Sequence, residues 1–166
     1  GLMQADLRPE QRSEFAGLIH QEVRRLIEMV EELLSFSRGE TRLHAEPVDV
    51  PDLLREVLGL FEVGFRAQNI RTELQTEDCP RPRGDRRKLQ KVFINLLQNA
   101  REHLLATQGE RIIRVQAANR GGQTLISFSN NGPPIPEDLL PHIFEPFVSH
   151  NKERGTGLGL AICRKI

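Results

Sequence analysis

The sequence predicts a mixed α and β domain preceded by one long bundle-forming helix, and three observations carry that expectation. Residues 16–37 place apolar side chains at alternating three- and four-residue steps, the spacing of a helix seam. Leu53 to Phe61 and Leu89 to Ala100 repeat apolar residues at helical period, each long enough to be an amphipathic helix. Residues 111–118 and 124–129 alternate apolar and polar around Arg120-Gly121-Gly122, the pattern of a hairpin with one buried face.

The first helix is expected from Leu7 to Arg38, with Pro9 in the first turn, where a missing N–H costs little, and Gly39 ending it. Ala16, Ile19, Val23, Leu26, Val30, Leu33 and Ser37 form its seam. Phe15, Met29 and Phe36 widen the seam on one side, Ile27 and Leu34 on the other. A face this wide suits a four-helix bundle better than a two-stranded coil, so its partners are expected from another chain or from sequence beyond this one. Arg42 to Val50 reads as extended, and Asp49-Val50-Pro51-Asp52 starts a second helix. Asn69 to Gln75 alternates in strand fashion. Cys79-Pro-Arg-Pro-Arg-Gly84 reads as a connection, with Asp85 the N-cap of a helix reaching about Ala106. Two glycine-bearing segments follow, Asn130-Asn131-Gly132-Pro133-Pro134 and Gly155-Thr156-Gly157-Leu158-Gly159-Leu160, the second opening a helix.

A chain of 166 residues buries roughly 70% of its unfolded surface, enough for one sizeable core. Lys plus Arg number 23 and Asp plus Glu 23, for zero net charge, which excludes a general polyanion binder, so no nucleic-acid partner is expected. No apolar run approaches the 18 or so residues that cross a bilayer, so no membrane contact is expected of this segment. Cys79 and Cys163 form no CxxC or Cys/His cluster, against a zinc site or a disulfide framework and in favour of a reducing, cytoplasmic setting.

Asn95 and Asn99 lie four apart on one face of a helix whose other face is apolar. Two neutral amide oxygens there suit a hydrated Mg²⁺, which takes few protein ligands and fills the rest from phosphate and water; two asparagines so spaced also describe a solvated face. Gly155 to Leu160 offers bare backbone N–H groups at a helix start, the makings of an anion site or of a plain turn. Neither the dinucleotide fingerprint GxGxxG nor the Walker pattern is met.

The order of the pieces is more informative than any one of them. LLSFSR at Leu33 to Arg38, KVFINLLQNA at Lys91 to Ala100, NNGPPIP at Asn130 to Pro136, IFEPF at Ile143 to Phe147 and GTGLGLAI at Gly155 to Ile162 follow one another. Together they resemble a sensor histidine kinase of two-component signalling: the end of its dimerisation helix pair, then its ATP-binding domain of the GHKL type. The resemblance implies a Bergerat fold, an α+β two-layer sandwich with a mixed sheet backed by helices. It divides the chain into 1–41, the second helix of a dimerisation bundle, and 42–166, the catalytic domain. It implies ATP and Mg²⁺ as cofactors, with Asn99 the principal metal ligand and Asn95 helping. Gly155, Thr156, Gly157, Leu158, Gly159 and Leu160 would approach the phosphates, Lys152 would neutralise charge in a lid, and His103 would lie near the nucleotide. Asn130 and Gly132 would meet the adenine, and Phe144 and Phe147 would anchor the lid by packing. Related ATP hydrolases carry a glutamate where Asn95 stands, and its absence fits phosphoryl transfer to a protein side chain better than hydrolysis. A homodimer through the helical bundle and a cognate response regulator are the implied partners, in a parent protein that membrane anchoring would not exclude.

The sequence departs from the family at three places. The G1 box usually reads DxGxG, whereas here Asn130, Gly132 and Pro134 occupy those positions, so the adenine amino group meets an amide without charge assistance. The phosphoacceptor motif HExxxP is expected ahead of this chain: His20-Gln21-Glu22 has Arg25 in the proline position, and His20 falls on the second bundle helix. Relatives continue past the last helix into two further strands. Two other readings remain: a degenerate ATP-binding or scaffold module, and an anti-sigma serine kinase.

Overall fold

The structure is a computed structural model that describes residues 8–37, 43–148 and 156–166. The chain forms two compact units, Gly1–Gly39 and Glu40–Ile166. Among the described residues the first holds one helix, α1 (Pro9–Ser37), starting two residues inside the expected Leu7; Leu7 and Arg38 lie outside the described residues. Ile19, Val23, Leu26 and Val30 of its seam and the flanking Phe15 are exposed, so among the described residues nothing in the unit covers this apolar face.

The second unit runs β1 (Glu46–Pro47), α2 (Val50–Ala67), β2 (Ile70–Thr76), β3 (Arg83–Gly84), α3 (Arg86–Leu104), β4 (Arg111–Arg120), β5 (Gln123–Asn130), a 3₁₀ turn at Leu140–His142 and α4 (Gly159–Lys165). Asp49 caps α2 by accepting from the Asp52 N–H at 3.0 Å, with Pro51 in the first turn, as the sequence predicts. Asn69, at φ +53, then reverses the chain into β2, a conformation asparagine tolerates better than most residues. Asp85 caps α3 as expected. The hairpin turns at Gly121-Gly122, with β4 and β5 each longer than the alternation alone predicts.

The three-stranded sheet is ordered β2-β4-β5. β2 pairs parallel with β4 from Ile70↔Arg111 to Thr76↔Ala117, and β4 pairs antiparallel with β5. A parallel pair needs a crossover, and α3 supplies it between β2 and β4. Ile113, Val115 and Ala117 of β4 face Val57 and Phe65 of α2 and Phe93, Leu97 and Ala100 of α3 in one buried cluster. Phe93 and Phe128 pack at 5.6 Å between ring centroids, tying α3 to β5. The other sheet face carries Arg71, Glu73, Arg114 and Gln116, with ion pairs Arg71–Glu73 and Arg114–Glu73. This is the mixed sheet backed by helices on one side.

Two details correct the sequence reading. Among the described residues of the extended 42–50 stretch only Glu46–Pro47 is strand, and its partner is Arg83–Gly84, inside the proline-rich connection. Proline there leaves the backbone extended and its carbonyls free, so Pro82 O accepts from the Val48 N–H at 2.9 Å. Helix α3 ends at Leu104 rather than Ala106.

Candidate functional site

Asn95, Asn99 and His103 lie at four-residue spacing along α3, whose Phe93, Leu97, Ala100 and Leu104 are buried. The core thus fixes the opposite face, and with it the asparagines. Their environments differ. Asn95 donates from Nδ2 to the Gly159 carbonyl at 3.2 Å, bonding α3 to the first residue of α4. It also reaches Cys163, whose thiol is pushed up by burial while the Asn95 amide opposes the shift. Asn95 is therefore in part a structural tie, with its Oδ1 left over. Asn99 is half-buried, and its amide makes no hydrogen bond among the described residues.

The second glycine segment reaches α3 through that tie. Leu158 is fully buried, and its N–H donates to Thr156 Oγ1 at 3.2 Å. Gly157, at φ +69, lies against the backbone of Phe147, where a Cβ would stand 2.7 Å from the Phe147 carbonyl carbon. Gly159 differs: a Cβ there would meet Asn95 only at 3.9 Å. Leu160 is half-buried on α4. Lys152 and Gly155 lie outside the described residues.

The first glycine segment reaches α3 at its other end. A Cβ on Gly132 would stand 3.3 Å from both the carbonyl carbon and the oxygen of His103 and 2.7 Å from Asn130 Nδ2, so the loop lies directly on the last turn of α3. The adjacent asparagines divide the work. Asn131 accepts from the Ile112 N–H at Oδ1 (2.7 Å) and donates from Nδ2 to Glu110 O (2.8 Å), and its own N–H donates to Ile112 O (3.2 Å). It extends the β4 pairing by one residue. Asn130, at the end of β5, is exposed and leaves its amide uncommitted among the described residues. The motif resemblance singles out Asn130, and the structure leaves that asparagine's amide uncommitted among the described residues while Asn131 is spent on β4.

One expectation fails. Phe144 and Phe147 do not anchor by burial, being 43% and 66% exposed. Phe147 holds through its backbone instead, its N–H donating to Gly157 O at 3.0 Å. A polar cleft of about 320 Å³ lined by Asp49, Arg55, Glu77, Asp78 and Arg81 shares no residue with this site. Its Asp49 and Arg81 already pair with each other at 3.0 Å.

The structure thus brings Asn95, Asn99 and His103 of one helix together with the start of α4 on one side and the Asn130–Gly132 loop on the other. A crossover helix bearing paired amides thus lies between two glycine turns, on a mixed sheet. Residues 84–166 match the family described as histidine kinase-, DNA gyrase B-, and HSP90-like ATPase. The sensory histidine kinase/phosphatase NtrB of Rhodobacter capsulatus is 37% identical over 164 residues, covering 92% of this chain and 45% of NtrB. The alginate biosynthesis sensor protein KinB of Pseudomonas aeruginosa is 35% identical over 153 residues, 89% of this chain and 25% of KinB. Histidine kinase ThkA, crystallised in complex with the response regulator protein TrrA, superposes with a TM-score of 0.79 at 34% identity, covering 98% of this chain and 46% of ThkA. The chain belongs to the histidine kinase-, DNA gyrase B- and HSP90-like ATPase family, and these relatives are sensor histidine kinases. It spans less than half the length of the curated relatives it matches.

Proposed function

We propose that this chain binds Mg-ATP across α3 and the two glycine turns and presents the γ-phosphoryl group to a histidine of a dimerisation domain in two-component signalling. The observation that carries the reading is Asn99: a half-buried amide with no partner among the described residues, one turn from Asn95 Oδ1, within the residues that match the ATPase family. Two neutral oxygens on one helix face fit a divalent cation that retains water and phosphate ligands. Bound there, Mg²⁺ would neutralise phosphate charge. Asn99 would hold it, with Asn95 Oδ1 adjacent. Asn130 Oδ1 would accept from the adenine amino group, and Lys152 and the backbone of Gly155 to Leu160 would meet the phosphates. No side chain of this set forms a covalent bond to the nucleotide, so catalysis is positioning and charge neutralisation. Position 95 carries an amide that takes no proton and spends its N–H on Gly159, which disfavours activation of a water.

In the parent protein the exposed seam of α1 would pair in a homodimeric bundle, and a response regulator would receive the phosphoryl group; ThkA, similar to this chain, is found in complex with the response regulator protein TrrA. Calorimetry should show ATP binding in the micromolar to sub-millimolar range that vanishes with EDTA; a folded chain that binds none overturns the reading. Supplying radiolabelled ATP and a first bundle helix bearing the acceptor should then label its histidine with acid-labile phosphate. The neutral Asn130, where relatives carry aspartate, favours a second reading, an ATP-binding scaffold. Binding without transfer would decide for it.

A further inference from the structure

Asp85 is the one buried charged side chain among the described residues, 9% exposed. Its Oδ1 accepts from the N–H groups of Arg87 (3.0 Å) and Lys88 (3.2 Å), capping α3. An N-cap needs no more. Yet Oδ2 accepts from the His44 N–H at 3.1 Å, forty-one positions earlier. Around that bond the segment 44–48 is fastened along its length to 82–85: β1 pairs with β3, Val48 N–H donates to Pro82 O at 2.9 Å, and Arg83 Nη2 donates to Ala45 O at 3.0 Å. This strap is the covalent route from the unit holding α1 into the second unit, and it ends on the cap of the helix that bears Asn95 and Asn99. One rigid carboxylate serves both, so a shift that lengthens the His44 bond reorients the oxygen that caps α3.

We propose that Asp85 is a positioning residue that couples the chain leaving the bundle-type helix to the nucleotide helix: drawing the strap off loosens the first turn of α3 and weakens nucleotide binding, and bound nucleotide holds the strap on. The coupling rests on the Mg-ATP reading above, and by linkage it is reciprocal. It gives the kinase domain a way to feel movement of the bundle without a separate regulatory site.

Two variants of the whole chain approach the clip from opposite ends. Asp85→Asn keeps a capping oxygen and presents an N–H₂ where His44 needs an acceptor. His44→Pro removes the donor and leaves the cap residue intact. Each should weaken Mg-ATP binding by about fivefold or more, the lower end of the usual range for coupled sites. The double variant should lose no more than the worse single one, because both break the same bond. In wild type, Mg-ATP should slow exchange of the His44 amide by a similar factor, and His44→Pro should speed exchange at Arg87 and Lys88. A purely structural cap would instead lower the Tm of Asp85→Asn while His44→Pro kept its ATP affinity, and additive losses or unchanged exchange at Arg87 and Lys88 would equally overturn the proposal. Should His44→Pro not fold, Asp85→Asn and nucleotide-dependent exchange at His44 decide. If wild type binds no ATP, the function reading falls, and exchange at Arg87 and Lys88 in His44→Pro alone decides whether the clip exists.

Discussion

The Phe147 N–H donates to the Gly157 carbonyl at 3.0 Å, and both residues occupy the left-handed region, at φ +67 and +69. A bulky non-glycine residue there is unusual. The two conformations are one feature, because the Phe147 backbone fills the space where a Gly157 side chain would project. Such outliers persist where surrounding structure over-determines them and cluster at ligand clamps. Here the pair joins the end of the IFEPF run to the start of the glycine turn.

Gly157→Ala combines a left-handed φ, costing about 1–2 kcal/mol for an alanine, with a Cβ 2.7 Å from backbone carbon. It should abolish the Phe147–Gly157 bond and lower ATP affinity at least tenfold by calorimetry. Gly159→Ala is the matched control for steric space. Its Cβ meets only ordinary contact at a helical residue, so urea unfolding should show a gain of about 0.5–1 kcal/mol.

The asparagines of α3 should separate stability from binding. Asn99→Ala removes an amide with no bond among the described residues, so the unfolding midpoint should hold while Mg-dependent ATP binding falls at least tenfold. Asn95→Ala also cuts the bond to Gly159 at 3.2 Å and should cost about 1 kcal/mol of stability. A loss of stability in Asn99→Ala as large as in Asn95→Ala would contradict this division.

Asn130 and Asn131 should separate the same way. Asn131→Ala removes both side-chain bonds to the start of β4 and should destabilise by about 1–3 kcal/mol. Asn130→Ala should leave the melting temperature unchanged and weaken ATP. Asn130→Asp should tighten ATP, since a carboxylate makes a charge-assisted bond to the adenine amino group. Weaker ATP binding in Asn130→Asp would remove Asn130 from the adenine contact.

Asp85 makes folding pH-dependent in the acid range. The His44 N–H first, then those of Lys88 and Arg87, hold its carboxyl below the usual value. The unfolded chain therefore binds the proton more readily, and stability rises with pH through the acid limb. The contribution is complete above the unfolded value near 4 and is lost as pH falls through the lower folded value. Urea midpoints of wild type and Asp85→Asn should differ most above about pH 5 and converge below it in acid. A difference constant down to pH 2 would show that ionisation of Asp85 adds nothing.

The helices and the hairpin were legible because their signals are local. Asp49 and Asp85 announce their helices as caps, and the apolar period of α3 fixes which face carries Asn95 and Asn99. The motif order pointed to the ATPase and kinase family. β3 was not legible, because a two-residue strand in Cys79–Gly84 exists only through its pairing with Glu46–Pro47. The resemblance has Phe144 and Phe147 anchoring by packing, yet both are exposed, and Phe147 is held through its backbone bond to Gly157 instead.

The periodicities, the caps and the spacing of amides and glycines are legible along the chain, because these depend on neighbours within a turn or two. The division of roles between alike residues comes from long-range contacts: Asn95 is tied to Gly159 while Asn99 stays uncommitted among the described residues, Asn131 is spent on β4 while Asn130 is exposed, and Gly157 is required while Gly159 is not. Each choice rests on a contact made nineteen or more positions away, except that of Gly157 with Phe147, ten positions off. Spacing along the chain does not encode such contacts; segments distant in sequence create them when they pack against one another.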